Sequence, residues 1–181
     1  MSGGPPFDEG EAVARAQQDP GAFGVLYERY FNDIFRFIHR RAGRAELSAD
    51  LTQQTFLKAM LALPRYRARG VPFRAWLYRI ALNELRMHWR KRKEVVMDLS
   101  FGEVRGLSEE MGLREEADDM RRLSIVLSRL SADQARLIEL RFFDGLAFVE
   151  VGQVLGIGED AAKMRTHRVL GQLRKYLGER R

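Results

Sequence analysis

The chain has 181 residues, 45% of them hydrophobic, with 31 lysines and arginines against 25 aspartates and glutamates, a net charge of +6 and a pI of about 10.0. That apolar share suffices for one medium core or two small ones, and the positive balance points to a polyanion, nucleic acid before an anionic membrane, with a merely soluble basic surface as the plain alternative. The lack of cysteine excludes disulfides and thiolate-bound zinc, His39, His88 and His167 show no metal-ligand spacing, and no apolar run approaches the ~20 residues of a membrane span.

Residues 1–8 are expected to be disordered, because glycine and proline dominate the start. MSGGPPFDEGE has neither the basic nor the apolar part of a signal peptide, so the chain reads as cytoplasmic. A short helix is predicted from Glu9 to Gln18, broken by Asp19-Pro20-Gly21. Phe23, Leu26, Tyr27, Tyr30, Phe31, Ile34, Phe37 and Ile38 then recur at the spacing of one helix face. GRAELSAD reads as a loop, with Ser48 as the N-cap of the next helix. That helix carries Leu51, Phe56, Ala59, Met60 and Leu63 inward, while Asp50, Gln53, Gln54 and Lys58 lie off the stripe; Pro64 ends it. RYRARGVP is a basic loop, and a long helix follows from Phe73 to about Lys93. Residues 94–119 are acidic, glycine-containing and aperiodic, which predicts a linker. A second helical unit starts near Met120, with Ser131 as an N-cap, a short helix from Ala147 to Leu155, a GIG turn, and a last helix from Asp160 to Leu177. No segment alternates like a strand. The expected fold is all-α: two small helical domains, 9–93 and 120–181, joined by the flexible acidic linker.

Two stretches carry functional information. In VLGIGEDAAK, residues 154–163, Gly156, Gly158 and Ala161 match G-x-G-x-x-A, a dinucleotide-binding spacing. That motif needs a preceding strand within a βαβ unit; a short strand VGQVLG is conceivable, but Phe148, Val151, Val154 and Leu155 recur at helical spacing, which makes a helix the more natural reading. A helix-turn-helix fits instead: Gly156 ends one helix with a positive φ, Gly158 caps the next, and Lys163, Met164, Arg165, His167 and Arg168 are presented to a DNA groove. An ordinary solvated face is the competing reading. The second stretch, PRYRARGVPFRAWLYRIALNELRMHWRKRK, interleaves Tyr66, Phe73, Trp76, Tyr78 and Trp89 with ten basic residues and the single acid Glu84. Cations beside stacking surfaces suit unpaired bases, although Trp76 also fits the core stripe. No paired carboxylates, Ser/His/Asp set, metal cluster or GxxxxGK[ST] loop emerges, so neither catalysis, a cofactor nor a small-molecule substrate is expected.

These motifs together resemble bacterial RNA polymerase sigma factors of the sigma-70 family, extracytoplasmic-function group. FGVLYERYFNDIFRFIHRR, SADLTQQTFLKAM and FRAWLYRIALNELRMHWRKRK resemble the family's −10 domain, region 2; the stretch from LSRLSADQ to LRKYL resembles its −35 domain, region 4. The resemblance implies that Asp50, Gln53 and Gln54 dock core polymerase, with Gln54 replacing a usual Glu. It implies that Tyr66, Arg67 and Arg69 line the loop that captures a flipped base. Asn83, Arg86, Met87 and Arg90 would face the −10 element, Met87 replacing a frequent Asp. Lys163, Met164, Arg165, His167 and Arg168 fall at or beside the −35-reading positions. Gly152 stands where Ala is common, which predicts a softer scaffold helix, since an interior Gly costs ~1 kcal/mol against Ala. The implied partners are core RNA polymerase, promoter DNA and an anti-sigma factor, the last able to hold the protein at a membrane. A helix-turn-helix regulator acting without polymerase is the alternative; it leaves DLTQQTF and the aromatic basic loop without a role.

Overall fold

The computed structural model describes residues 7–89, 104–113 and 117–178. Among them every regular element is helical, and the chain divides into two compact units, Met1–Glu94 and Val95–Arg181. None of the described helices is long and apolar enough to cross a membrane. Of the start expected to be disordered, residues 1–6 lie outside the described residues, as does the helix beyond Trp89 with Arg90, whereas Phe7 packs its ring on Tyr30 and Asp8 caps the first helix.

The first unit holds α1 (Glu9–Gln18), α2 (Phe23–Ala42), α3 (Ala45–Ala62) and α4 (Phe73–Trp89). Asp8 starts α1 by accepting the Glu11 amide at 2.9 Å, and the helix stops at the extended Asp19 before Pro20. Leu26, Ile34, Phe37 and Ile38 of α2 are buried against α3 and α4, each contributing roughly 1.5–3 kcal/mol of apolar burial. Gly43 closes α2 at φ +64°, where a side chain would be strained, and its amide returns to His39 O at 2.9 Å.

The connection to α3 is shorter than the sequence suggests. The helix begins at Ala45, so Ser48 is not a cap but a fully buried residue of its first turn. Its hydroxyl donates to Arg44 O at 2.7 Å and lies 2.9 Å from His39 Nδ1. Because the serine proton is committed to Arg44, the imidazole donates, and Ser48 pins the end of α2 to the start of α3. A serine before an apolar run reads as a cap; burial turned this one inward. Thr52 and Thr55 are also fully buried and donate to Ser48 O and Leu51 O, so the polar look of DLTQQTF is partly an internal pattern.

The second unit holds α5 (Arg105–Met111), α6 (Ala117–Leu127), α7 (Ala132–Ile138), α8 (Phe148–Leu155) and α9 (Glu159–Gly178). Acidic composition concealed α5: Leu107 is fully buried, and Arg174 of α9 bonds Glu110 through both its carbonyl, at 3.2 Å, and its carboxylate, at 3.1 Å. Ser131 caps α7 as expected, in a reciprocal box with Gln134. After Ile138 the helix widens into one π-helical turn, Glu139–Phe143, before Gly145 redirects the chain at φ +65°.

Candidate nucleic-acid interface

The turn between α8 and α9 sets the start of the helix that carries Lys163, Arg165, His167 and Arg168. Gly156 adopts φ +71° and its amide returns to Gly152 O. Ile157 N also reaches Gly152 O, at 2.9 Å. Gly158 precedes the first helical residue, Glu159, and its carbonyl accepts the Ala162 amide at 3.0 Å. A helix, not a strand, leads into the glycines, so the dinucleotide reading of G-x-G-x-x-A does not apply.

Gly152 has a different meaning from the one its helix propensity implies. A Cβ there would lie 2.7 Å from Ile157 O and 3.3 Å from the Gly158 carbonyl carbon, both backbone atoms. The missing side chain lets the turn settle against α8. The expected softening of the scaffold helix is therefore corrected: this glycine permits a close approach.

In α9, Ala162, Thr166, Val169 and Leu173 are buried, and the Thr166 hydroxyl is satisfied by Ala162 O at 2.8 Å. Lys163, Met164, His167 and Arg168 share the opposite face, with Met164 64% exposed. Arg165 is exposed too, but helical geometry turns it roughly a third of a turn from the centre of that face. Sequence reasoning missed the support beside it. The His167 ring packs against Phe148, the first residue of α8, with centroids 6.1 Å apart. The Arg141 guanidinium lies 4.9 Å above the same Phe148 ring and donates to Leu146 O. An arginine at the π turn and an aromatic three residues past a Gly were the available signals.

The first unit carries a second basic surface. Asn83, Arg86 and Met87 are exposed on α4, with Met87 at 56%, while Leu77, Ala81, Leu82 and Leu85 are buried. Tyr66 is half-buried, its ring 4.7 Å from Trp76 and 5.4 Å edge-on from Phe73. Trp76 therefore belongs to the cluster beneath the loop. Arg67 and Arg69 are both exposed, Arg67 donating to Pro64 O and Tyr66 O along the loop backbone. Burial, and then the Glu9 carboxylate, push the Tyr66 phenol above its ordinary pKa, so it stays neutral and able to donate.

On α3, Asp50, Gln53 and Gln54 are exposed together. The same face continues to Leu57 and Leu61, which are 53% and 70% exposed and were absent from the sequence reading. Both fall between the core positions, the signal that could have found them. Lys58 is not a free cation there: it pairs with the buried Glu84 of α4 at 2.6 Å.

Comparison with known proteins accounts for both units. The family model for Sigma-70 region 2 matches residues 26–95, and that for Sigma-70, region 4 matches residues 126–175. The chain is 32% identical to the ECF RNA polymerase sigma factor BldN of Streptomyces coelicolor, over 92% of this chain and 65% of that protein. It is 30% identical to the RNA polymerase sigma factor CarQ of Myxococcus xanthus, over 87% of this chain and 90% of that one. Its fold is similar to that of CnrH, solved in complex with the cytosolic domain of CnrY, at a TM-score of 0.66 and 24% identity, covering 96% of this chain and 99% of that one.

Proposed function

We propose a division of labour from one premise: the chain belongs to the extracytoplasmic-function group of the sigma-70 family of RNA polymerase sigma factors, non-enzymatic initiation factors that recognise promoters together with core polymerase. The unit of α5–α9 reads duplex DNA at the −35 element. Lys163, Met164, His167 and Arg168 face the groove, and Arg165 reaches the flanking backbone. The unit of α1–α4 serves the −10 element. Tyr66, Arg67 and Arg69 receive an unpaired base over the Tyr66–Phe73–Trp76 cluster, while Asn83, Arg86, Met87 and Arg90 track the strand.

Core polymerase docks on α3. Asp50, Gln53 and Gln54 supply polar contacts and Leu57 and Leu61 the apolar ones, a mixture suited to a partner helix. An anti-sigma factor silences the protein by covering such faces; CnrH was solved with the cytosolic part of CnrY, which supports a partner of this kind. The protein acts in the cytoplasm, where polymerase is, and a membrane-anchored partner can hold it at the bilayer.

The observation that carries the reading is the α9 face, where Lys163, Met164, His167 and Arg168 are exposed together, opposite the fully buried Ala162 and Thr166. Its test is capture of core polymerase by the immobilised chain at low salt. Stoichiometric capture is expected; no capture removes the reading in favour of a polymerase-independent regulator.

A further inference from the structure

The proposed division of labour gives α1 no task, yet α1 holds both ends of the loop between α3 and α4. Gln17 spends both Nε2 protons there, donating to Leu63 O at 3.0 Å and to Tyr66 O at 2.9 Å. Glu9 holds the exit. Its Oε2 accepts the Phe73 amide at 2.8 Å and its Oε1 the Arg74 amide at 3.3 Å. Those amides are orphan donors at the start of α4, so a carboxylate far away in sequence replaces the side-chain cap that Pro72 cannot provide. The buried Tyr30 fixes the carboxylate by donating its hydroxyl to Oε1 at 2.5 Å.

The spacing explains how one short helix does both. Glu9, Val13, Ala16 and Gln17 lie at i, i+4, i+7 and i+8, one face of α1, and Val13 and Ala16 are its buried residues. Eight residues of helix set the two grips ~12 Å apart. Between the grips the loop has little regular structure of its own: the turn at Leu63–Arg65, the bond from Tyr66 to Val71 O at 3.5 Å and the local bonds of Arg67 to Pro64 O and Tyr66 O.

We infer that Glu9 and Gln17 are positioning residues for base capture: α1 acts as a spacer of fixed length that sets the span of the loop and the pose of Tyr66. A loop already held in its binding form loses less conformational freedom when a base enters, which is how such a spacer raises affinity. The inference rests on the strand-capture reading of this loop.

The test uses holoenzyme assembled from core polymerase and the full chain, with a fluorescent single-stranded oligonucleotide carrying the non-template −10 sequence of a promoter mapped from transcript starts. Gln17→Glu keeps the side-chain shape but removes both donors; Gln17→Lys returns donors to the same carbonyls; Glu9→Gln replaces one acceptor with a donor. Gln17→Glu and Glu9→Gln are expected to weaken oligonucleotide binding roughly tenfold, with Gln17→Lys within about twofold of wild type and −35 duplex binding unchanged in all three. Full affinity in Gln17→Glu and Glu9→Gln, while Tyr66→Ala and Arg69→Ala lose theirs, overturns the spacer. So does a Gln17→Lys variant as weak as Gln17→Glu. Full affinity in the Tyr66 and Arg69 variants as well overturns the capture reading itself.

Discussion

Gly152→Ala sets two physical effects against each other. Helix propensity favours alanine over glycine by ~1 kcal/mol in a helix interior. The new methyl would sit 2.7 Å from Ile157 O and 3.3 Å from the Gly158 carbonyl carbon, and 3.4 Å from Glu159 N. All three are backbone atoms of the turn that starts α9, so relief requires the turn to move. Overpacking of this kind costs typically ~1–3 kcal/mol, which exceeds or cancels the propensity gain. Gly171→Ala is the matched control. It lies in the same unit, within α9, and a Cβ there meets nothing within 4 Å. Gly171→Ala should gain up to ~1 kcal/mol, raising the melting temperature by a few degrees for a unit of this size. Gly152→Ala should fall ~1–3 kcal/mol below that control and weaken −35 binding by shifting the start of the reading helix. Urea titration followed by far-UV circular dichroism measures both. If the two substitutions stabilise equally, the close approach of the turn to α8 is refuted.

Three further outcomes follow from the same geometry. Lys163→Ala and Arg168→Ala should each cost about 1–3 kcal/mol in −35 affinity if they meet bases, read by titration of a labelled duplex; unchanged affinity in both moves recognition off this face. Leu57→Glu and Leu61→Glu should abolish polymerase capture with stability changed by no more than ~0.5 kcal/mol, since both side chains are largely exposed; intact capture places docking elsewhere. Burial first, and then the hydrogen bond and charge of Glu9, raise the Tyr30 phenol above its ordinary 10.0. The folded state then holds a proton that the unfolded chain releases, so this contribution is whole below about pH 10 and is lost as pH climbs through the raised folded-state value. Tyr30→Phe should flatten the alkaline fall in urea midpoint; equal slopes in both proteins would contradict the assigned environment.

Local signals carried much of this structure and distant ones did not. The stripe of α2, the cap at Ser131 and the positive-φ Gly156 depend on neighbours within a few residues, and each was readable from spacing and residue type. Ser48 was misread because its role depends on His39, which belongs to the preceding helix. α5 was hidden because charge dominates its composition, while one buried leucine and a bond from Arg174 anchor it. Glu9 at the start of α4 joins residues 64 positions apart, and no periodicity announces such a pair. At the candidate site, the shared exposure of Lys163, Met164, His167 and Arg168 on α9 followed from helical spacing. The apolar extension at Leu57 and Leu61 and the close approach at Gly152 needed coordinates, because one depends on what packs opposite and the other on a gap too small for a methyl.

Permanganate footprinting of a mapped promoter tests the central claim most directly. Core polymerase with the wild-type chain should expose reactive thymines at the −10 element, and core alone should not. With Tyr66→Ala the complex should still form on the duplex through α9 while the reactivity drops. Equal loss of binding and opening in that variant, or no opening with the wild-type chain, would contradict the account.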